Sequence, residues 1–227
     1  MNPLRTSAQT GGLSGDRVAL QVVARGDSKV SIVALGDVPS TVRLGGSVNT
    51  PQWEWRPSLS GRWLLFGRID YVRARYQVLL ADLRTGTVRT LDSVSGHAAY
   101  AVPGQVNGSW AVWTSCPDNW CRVYRYDIAR STRAPLPMAR QHVFQQFGPA
   151  VSRTGDVYFG TSKAGCRESR IMKFADAGLT MLTQLPEGIS FQYSYLDDSS
   201  PERADLYFDR VGCGRSDLSD VYRIPLE

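Results

Sequence analysis

Histidine is nearly absent from this chain, with two residues in 227, and cysteine and methionine stand at four each. With only His97 and His142 available, and no nucleophile-elbow sequence of the Gly-x-Ser-x-Gly kind, nothing sets up a serine beside a base. No acidic loop of the EF-hand type occurs, so a calcium site of that design is excluded. No apolar run approaches the length that crosses a bilayer. No stretch reads as a long amphipathic helix, which leaves an all-β class. Met1 to Gly12 lacks the apolar segment of a secretory signal, so the expectation is either a cytosolic protein or a domain trimmed from a longer one.

Lysine is also scarce. The 26 basic residues are mostly arginine, and against 21 acidic residues they leave a formal charge of +5 and a pI near 9.2. That surplus favours contact with something anionic, such as a polyanionic glycan, a phospholipid surface or nucleic acid. Apolar residues make up 42% of the chain, enough for a core, and a charged fraction of 21% argues against global disorder.

What the chain does contain is a repeat. Trp53 to Leu91 reads as four short strands, Trp53–Pro57, Trp63–Arg68, Tyr76–Leu83 and Thr87–Leu91, separated by turn signals at Ser60-Gly61, Asp70 to Arg75 and Arg84-Thr85-Gly86. The turn that opens the second strand recurs at Gly15, Gly61, Gly108, Gly155 and Ala204, with spacings of 46, 47, 47 and 49. An apolar strand follows each turn, and a second follows a variable loop: Val30–Ala34, Tyr76–Leu83, Arg122–Ile128, Arg170–Phe174 and Asp220–Ile224. Five copies at such a period, four strands to a copy, indicate propeller blades. The predicted fold is therefore all-β, a five-bladed β-propeller of four-stranded antiparallel blades in one domain, with repeats at about 1–50, 51–97, 98–143, 144–188 and 189–227. The fifth copy stops after its third strand. Asn2 to Thr6 loosely resembles Thr87 to Leu91, and the expectation is that this N-terminal strand closes the ring; either the first blade then has a very short inner strand or the ring closes differently, and the alternative is a fragment of a longer propeller.

Pro57 to Phe66, followed by Val78 to Asp82, Thr85-Gly86 and Arg89-Thr90-Leu91, resembles the TolB-like, WD-type β-propeller repeat of bacterial envelope proteins. The resemblance covers nearly the whole chain, with degenerate first and last copies. It departs where the family has Asp before the turn glycine; Ser60, Asn107 or Thr154 stands there. It implies the fold, and binding or scaffolding work, since propellers host enzymes, lectins and adaptors alike.

Cys116 and Cys121 bracket a hairpin loop, while Cys166 and Cys213 are one repeat apart and fall on equivalent loops of neighbouring blades. Two disulfides with that pairing are expected, which points outside the cytoplasm. A tetra-cysteine zinc site is the alternative, and neither a cofactor nor a metal is expected. The loops between middle strands share a face that collects Arg25, Lys29, Arg68, Arg73, Arg75, Arg122, Lys163, Arg167, Arg170, Arg210 and Arg215, with His97, Arg140 and His142 from inter-blade loops. This is either an anion-binding rim or a solvated set of loops. Inner strands bring aromatics towards the same face: Trp53, Trp55, Tyr100, Phe144, Phe147, Phe191, Tyr193 and Tyr195, with the pairs Phe144-Gln145 and Phe191-Gln192 repeating 47 apart. These could stack on sugar faces, or simply pack blade against blade.

The ligand-binding candidates are Trp53, Tyr100, Phe144, Gln145, Phe191, Gln192, Arg68, Arg73, Arg75, Arg167, Arg170 and Arg215. The expected role is a non-catalytic binding module, probing a protein partner or an anionic glycan, with nucleic acid ranked lower and a monomer expected. The competing reading is a glycosidase-like enzyme using Glu54 with Asp197 or Asp198, weakened because Ala101 stands where Glu54 would repeat.

Overall fold

The computed structural model describes residues 6–118, 120–137, 144–163, 168–191, 193–200, 203–212 and 215–226. Every regular element in them is a strand. Five four-stranded antiparallel sheets follow one another along the chain, giving the five-bladed β-propeller fold. The first sheet runs β1 (Thr6–Ser14), β2 (Arg17–Ala24), β3 (Asp27–Ala34), β4 (Ser40–Val42). The second runs β5 (Trp53–Ser60), β6 (Trp63–Asp70), β7 (Arg75–Asp82), β8 (Thr87–Ser95). The third comprises β9 (Tyr100–Asn107), β10 (Trp110–Cys116), β11 (Arg122–Asp127) and β12 (Thr132–Pro135). The fourth comprises β13 (Phe144–Val151), β14 (Val157–Lys163), β15 (Ser169–Ala175) and β16 (Gly178–Gln184).

The fifth sheet is built differently. β17 (Ile189–Ser190) and β18 (Ser194–Ser200) both pair with the same side of β19 (Arg203–Gly212), so they are one inner strand broken in two. β20 (Arg215–Leu226) takes the other side of β19. Four strands thus fill three positions.

The first blade does not have the very short inner strand expected of it. β1 is nine residues long and pairs with β2 from Thr6↔Ala24 to Ser14↔Arg17. Thr6 is therefore part of this inner strand; Asn2 to Arg5 lie outside the described residues. The reason is the glycine pair Gly11-Gly12, which lets the strand slip by one residue between Thr10 and Gly12 and continue. A Cβ on Gly11 would stand 2.0 Å from the Pro57 carbonyl oxygen, so no other residue passes there without displacing backbone.

Inner strands share this irregularity. β5 shifts register between Trp55 and Ser58, and β13 between Phe147 and Ala150. Arg56 (φ 49°) and Gly148 (φ 58°) hold the same place in the two bulges, both left-handed. Glycine takes this backbone freely, whereas an arginine there is strained.

By Cα proximity the chain forms two compact units, residues 1–106 with 116–119, and residues 107–115 with 120–227. The core of the first unit comes from Ala19, Val30, Ile32, Leu64, Phe66 and Leu79, alternating along β2, β3, β6 and β7. In the second unit Val112, Val123, Val157 and Phe159 form one buried group, and Ala150, Ile171, Phe191 and Leu206 another.

Candidate functional site

At one end of the first unit, the β2–β3 turn, the β6–β7 turn and the segment entering β5 meet in a connected set of charges. Glu54 lies in β5 with its side chain fully enclosed. Its Oε1 accepts from Arg68 Nε at 3.0 Å, Thr50 Oγ1 at 2.7 Å and the Thr50 N–H at 3.2 Å; its Oε2 accepts from Lys29 Nζ at 3.2 Å. Arg68 Nη2 donates to the carbonyls of Ser47 and Val48, and Lys29 also reaches Asp27 and the Gln52 carbonyl. Burial of a carboxylate is tolerable only with such partners. The Glu54 side chain is closed off from solvent.

Gln52 extends the set to Asp70, donating from Nε2 at 3.0 Å. Asp70 also accepts from the Arg73 N–H at 3.1 Å and from Arg73 Nη1 at 2.9 Å, and Arg75 stands 3.6 Å away. The Arg73 hydrogen bonds hold the Asp70 carboxyl below its ordinary range. This carboxylate folds the β6–β7 turn: it caps Arg73 while Ala74 takes φ 43°. The turn in consequence projects Tyr71 and Val72 into solvent, with the Trp53 ring edge-on to Tyr71 at 6.1 Å. Arg73 remains 70% exposed beside them.

The sequence candidates divide accordingly. Arg68, Arg73, Arg75 and Trp53 are brought together here, but Arg68 is only 12% exposed and is occupied by Glu54. Arg170 pairs with Glu168, which also holds Lys163. Tyr100 is exposed and Gln145 half-buried. Phe191 is buried, its ring 5.1 Å from Phe147 and lying where a Cβ of Gly160 would be. Arg167, Gln192, Arg140, His142, Cys166 and Cys213 lie outside the described residues, as do the side chains of Phe144 and Arg215. Cys116 and Cys121 form the expected disulfide. Asp197 accepts from the Ser199 N–H at 3.1 Å. Asp198 accepts from Asn107 Nδ2 at 2.8 Å and the Arg153 N–H at 2.8 Å. Among the described residues no three His, Cys, Asp or Glu side chains gather as a metal site, and no helix is long and apolar enough to cross a membrane.

Sequence reading missed Gln146. It faces Thr161 across the sheet as Glu54 faces Arg68, and 146 − 54 = 92 is two repeats. Its Oε1 accepts from the Val123 N–H at 3.0 Å, and its Nε2 donates to the Pro137 carbonyl at 3.2 Å. Counting back from the turn glycines hid this equivalence, because the turn between Val151 and Val157 is longer than the one between Ser60 and Trp63, while the two bulges each add one residue.

No family model matches the sequence, and no curated protein matches it. Solved structures share its fold. TolB from Acinetobacter baumannii superposes with a TM-score of 0.57 at 14% identity, over 95% of this chain and 56% of that one. The chain thus spans little more than half the length of that protein. A luciferin-regenerating enzyme gives 0.54 at 11% identity, over 92% and 73% of the two chains. A nidogen/laminin complex gives 0.50 at 13%, over 94% and 79%. At such identities the likeness is one of fold: a β-propeller of the kind that TolB and other unrelated proteins share.

Proposed function

We propose that this chain is a non-catalytic binding module acting outside the cytoplasm, and that the β6–β7 end of its first unit receives an acidic protein surface or an anionic glycan. The observation that carries this reading is the exposed Tyr71-Val72-Arg73 turn over Trp53. Tyrosine, tryptophan and arginine are the side chains that most often anchor interfaces. Arg25, Lys29, Arg68, Arg73 and Arg75 there outnumber Asp27, Glu54 and Asp70, and each of these three carboxylates already holds a cation. An anionic partner therefore meets net positive charge rather than competing acids. The fully enclosed Glu54, held by Lys29, Thr50 and Arg68, supports binding over general acid–base chemistry, which needs a carboxyl in reach of substrate. The Cys116–Cys121 disulfide supports an oxidising compartment. One protein of like fold was solved in a nidogen/laminin complex, which is in keeping with a propeller that meets another protein.

Thermal melting with heparin at low and high salt tests the reading. A ligand held only by the native state raises the melting temperature. The expected result is a rise of a few degrees at low salt that disappears at high salt and in the Arg73→Gln/Arg75→Gln double variant. A rise untouched by both salt and the double variant, or a salt-insensitive rise with a neutral oligosaccharide, overturns it.

A further inference from the structure

Among the described residues the large apolar side chains most open to solvent are Val72 (95%), Val38, Val221 and Tyr71 (65%). Only Tyr71 and Val72 are neighbours in the chain. Asp70 and Arg75 are the last pair of the β6–β7 ladder, so Tyr71, Val72, Arg73 and Ala74 form the loop beyond it. That loop is held on two sides. Asp70 accepts from the Arg73 N–H, from Arg73 Nη1 and from Gln52, and the Gly96 N–H donates to the Ala74 carbonyl at 3.2 Å. Neither Tyr71 nor Val72 joins the core of the first unit. Two apolar groups are thus fixed in water, where they cost the fold free energy. Charge is layered behind them. Arg73 and Arg75 reach solvent, while Asp70, the acid that closes the loop, is 5% exposed. Asp27 on the β2–β3 turn is exposed but bonded to Lys29, and Asp118 is exposed after β10 in the same unit. The attraction an anion meets at the tip therefore comes from Arg73 and Arg75 rather than from a broad positive field.

We propose that the β6–β7 loop docks the protein on an anionic lipid surface. Tyr71 and Val72 enter the boundary between headgroups and acyl chains, and Arg73 and Arg75 meet lipid phosphates. This goes beyond the reading above, keeping its arginines and adding the apolar tip. A free polyanion uses the arginines and leaves Val72 in water. A ligand that uses both is anionic at its surface and apolar just beneath, as a bilayer is. Tyrosine and tryptophan settle at the headgroup level of membranes, and Trp53 stands beside Tyr71 at 6.1 Å. The loop's anchoring on Asp70 and Gly96 means that little freedom is lost when the tip enters.

The full chain is sedimented with vesicles of phosphatidylcholine alone and of phosphatidylcholine mixed with phosphatidylglycerol. Binding to the mixed vesicles only is expected. Val72→Ser, at a side chain that meets almost nothing but solvent, should weaken it about tenfold and leave the fold untouched. Arg73→Gln and Arg75→Gln should each weaken it about fivefold. Val72→Trp reads depth: the emission of the introduced indole should be quenched by lipids brominated on their acyl chains. Equal binding by the parent and Val72→Ser overturns the proposal, as does an introduced indole that the bromines do not reach. Absence of binding to the mixed vesicles overturns it too. If heparin still raises the melting temperature of that protein through Arg73 and Arg75, the anion-binding reading stands without a membrane, and the partner is an acidic protein or a free glycan. Vesicle binding that needs Val72, with no effect of heparin, is the converse: lipid docking holds and the polyanion reading fails.

Discussion

Two side chains show what single residues decide. A Cβ on Gly160 would lie within 1.4 Å of two ring atoms of Phe191. Phe191 is closed in by Phe147 and Phe208 and has nowhere to go. Gly160→Ala is expected to destabilise the protein by about 3 kcal/mol, read as a lower urea midpoint, and Phe191→Leu in the same chain should recover part of the loss. Asp70 acts through charge. Its carboxyl is held low by Arg73, so its share of stability is complete above the ordinary carboxylate range and is lost as pH falls through the lowered value. Asp70→Asn removes that share at neutral pH. The gap in stability between the variant and the parent should shrink as the solution is acidified towards and below the normal carboxyl range, measured by thermal melts across pH.

At the scale of elements, the β10–β11 hairpin is closed by Cys116–Cys121, with both sulfur atoms buried. A loop of this size constrains the unfolded chain modestly, so Cys116→Ala/Cys121→Ala should cost about 2 kcal/mol in denaturant unfolding and leave the fold intact. This bridge was legible in the sequence because both cysteines flank a hairpin turn. The strands were legible too, because the apolar alternation and the turn glycines repeat together; Trp63 to Arg68 was expected as a strand and β6 contains it. The ends of strands were not. β1 is longer than its turn spacing implies and β17–β18 is broken, since bulges and breaks depend on what each strand packs against rather than on its own residues. The candidate site was half legible. Arginine content and loop position marked Arg73 and Arg75, but the pairing of Arg68 with Glu54 and the place of Asp70 under the turn arise only once three separated segments meet.

For the whole molecule, the expectation of a single domain predicts one calorimetric transition whose calorimetric and van't Hoff enthalpies agree; two resolved peaks would mean that the two compact units melt separately. A molecule written as five similar sentences also faces a problem of addressing. Any second strand could join any first strand with much the same apolar pattern, and misjoined repeats are a known hazard of such chains. Lys29, Glu54 and Arg68 bind across from the first sheet to the second, while the matching place in the fourth sheet holds Gln146, whose amide needs a different neighbour. Glu54→Leu alone strands two cations and should cost about 2–3 kcal/mol, with Lys29 still partly in water. Lys29→Met/Glu54→Leu/Arg68→Met together should restore most of that stability, yet refold with a lower yield of monomer after dilution from denaturant. The buried ions would then be less a bond than a label, telling the second blade which neighbour is its own.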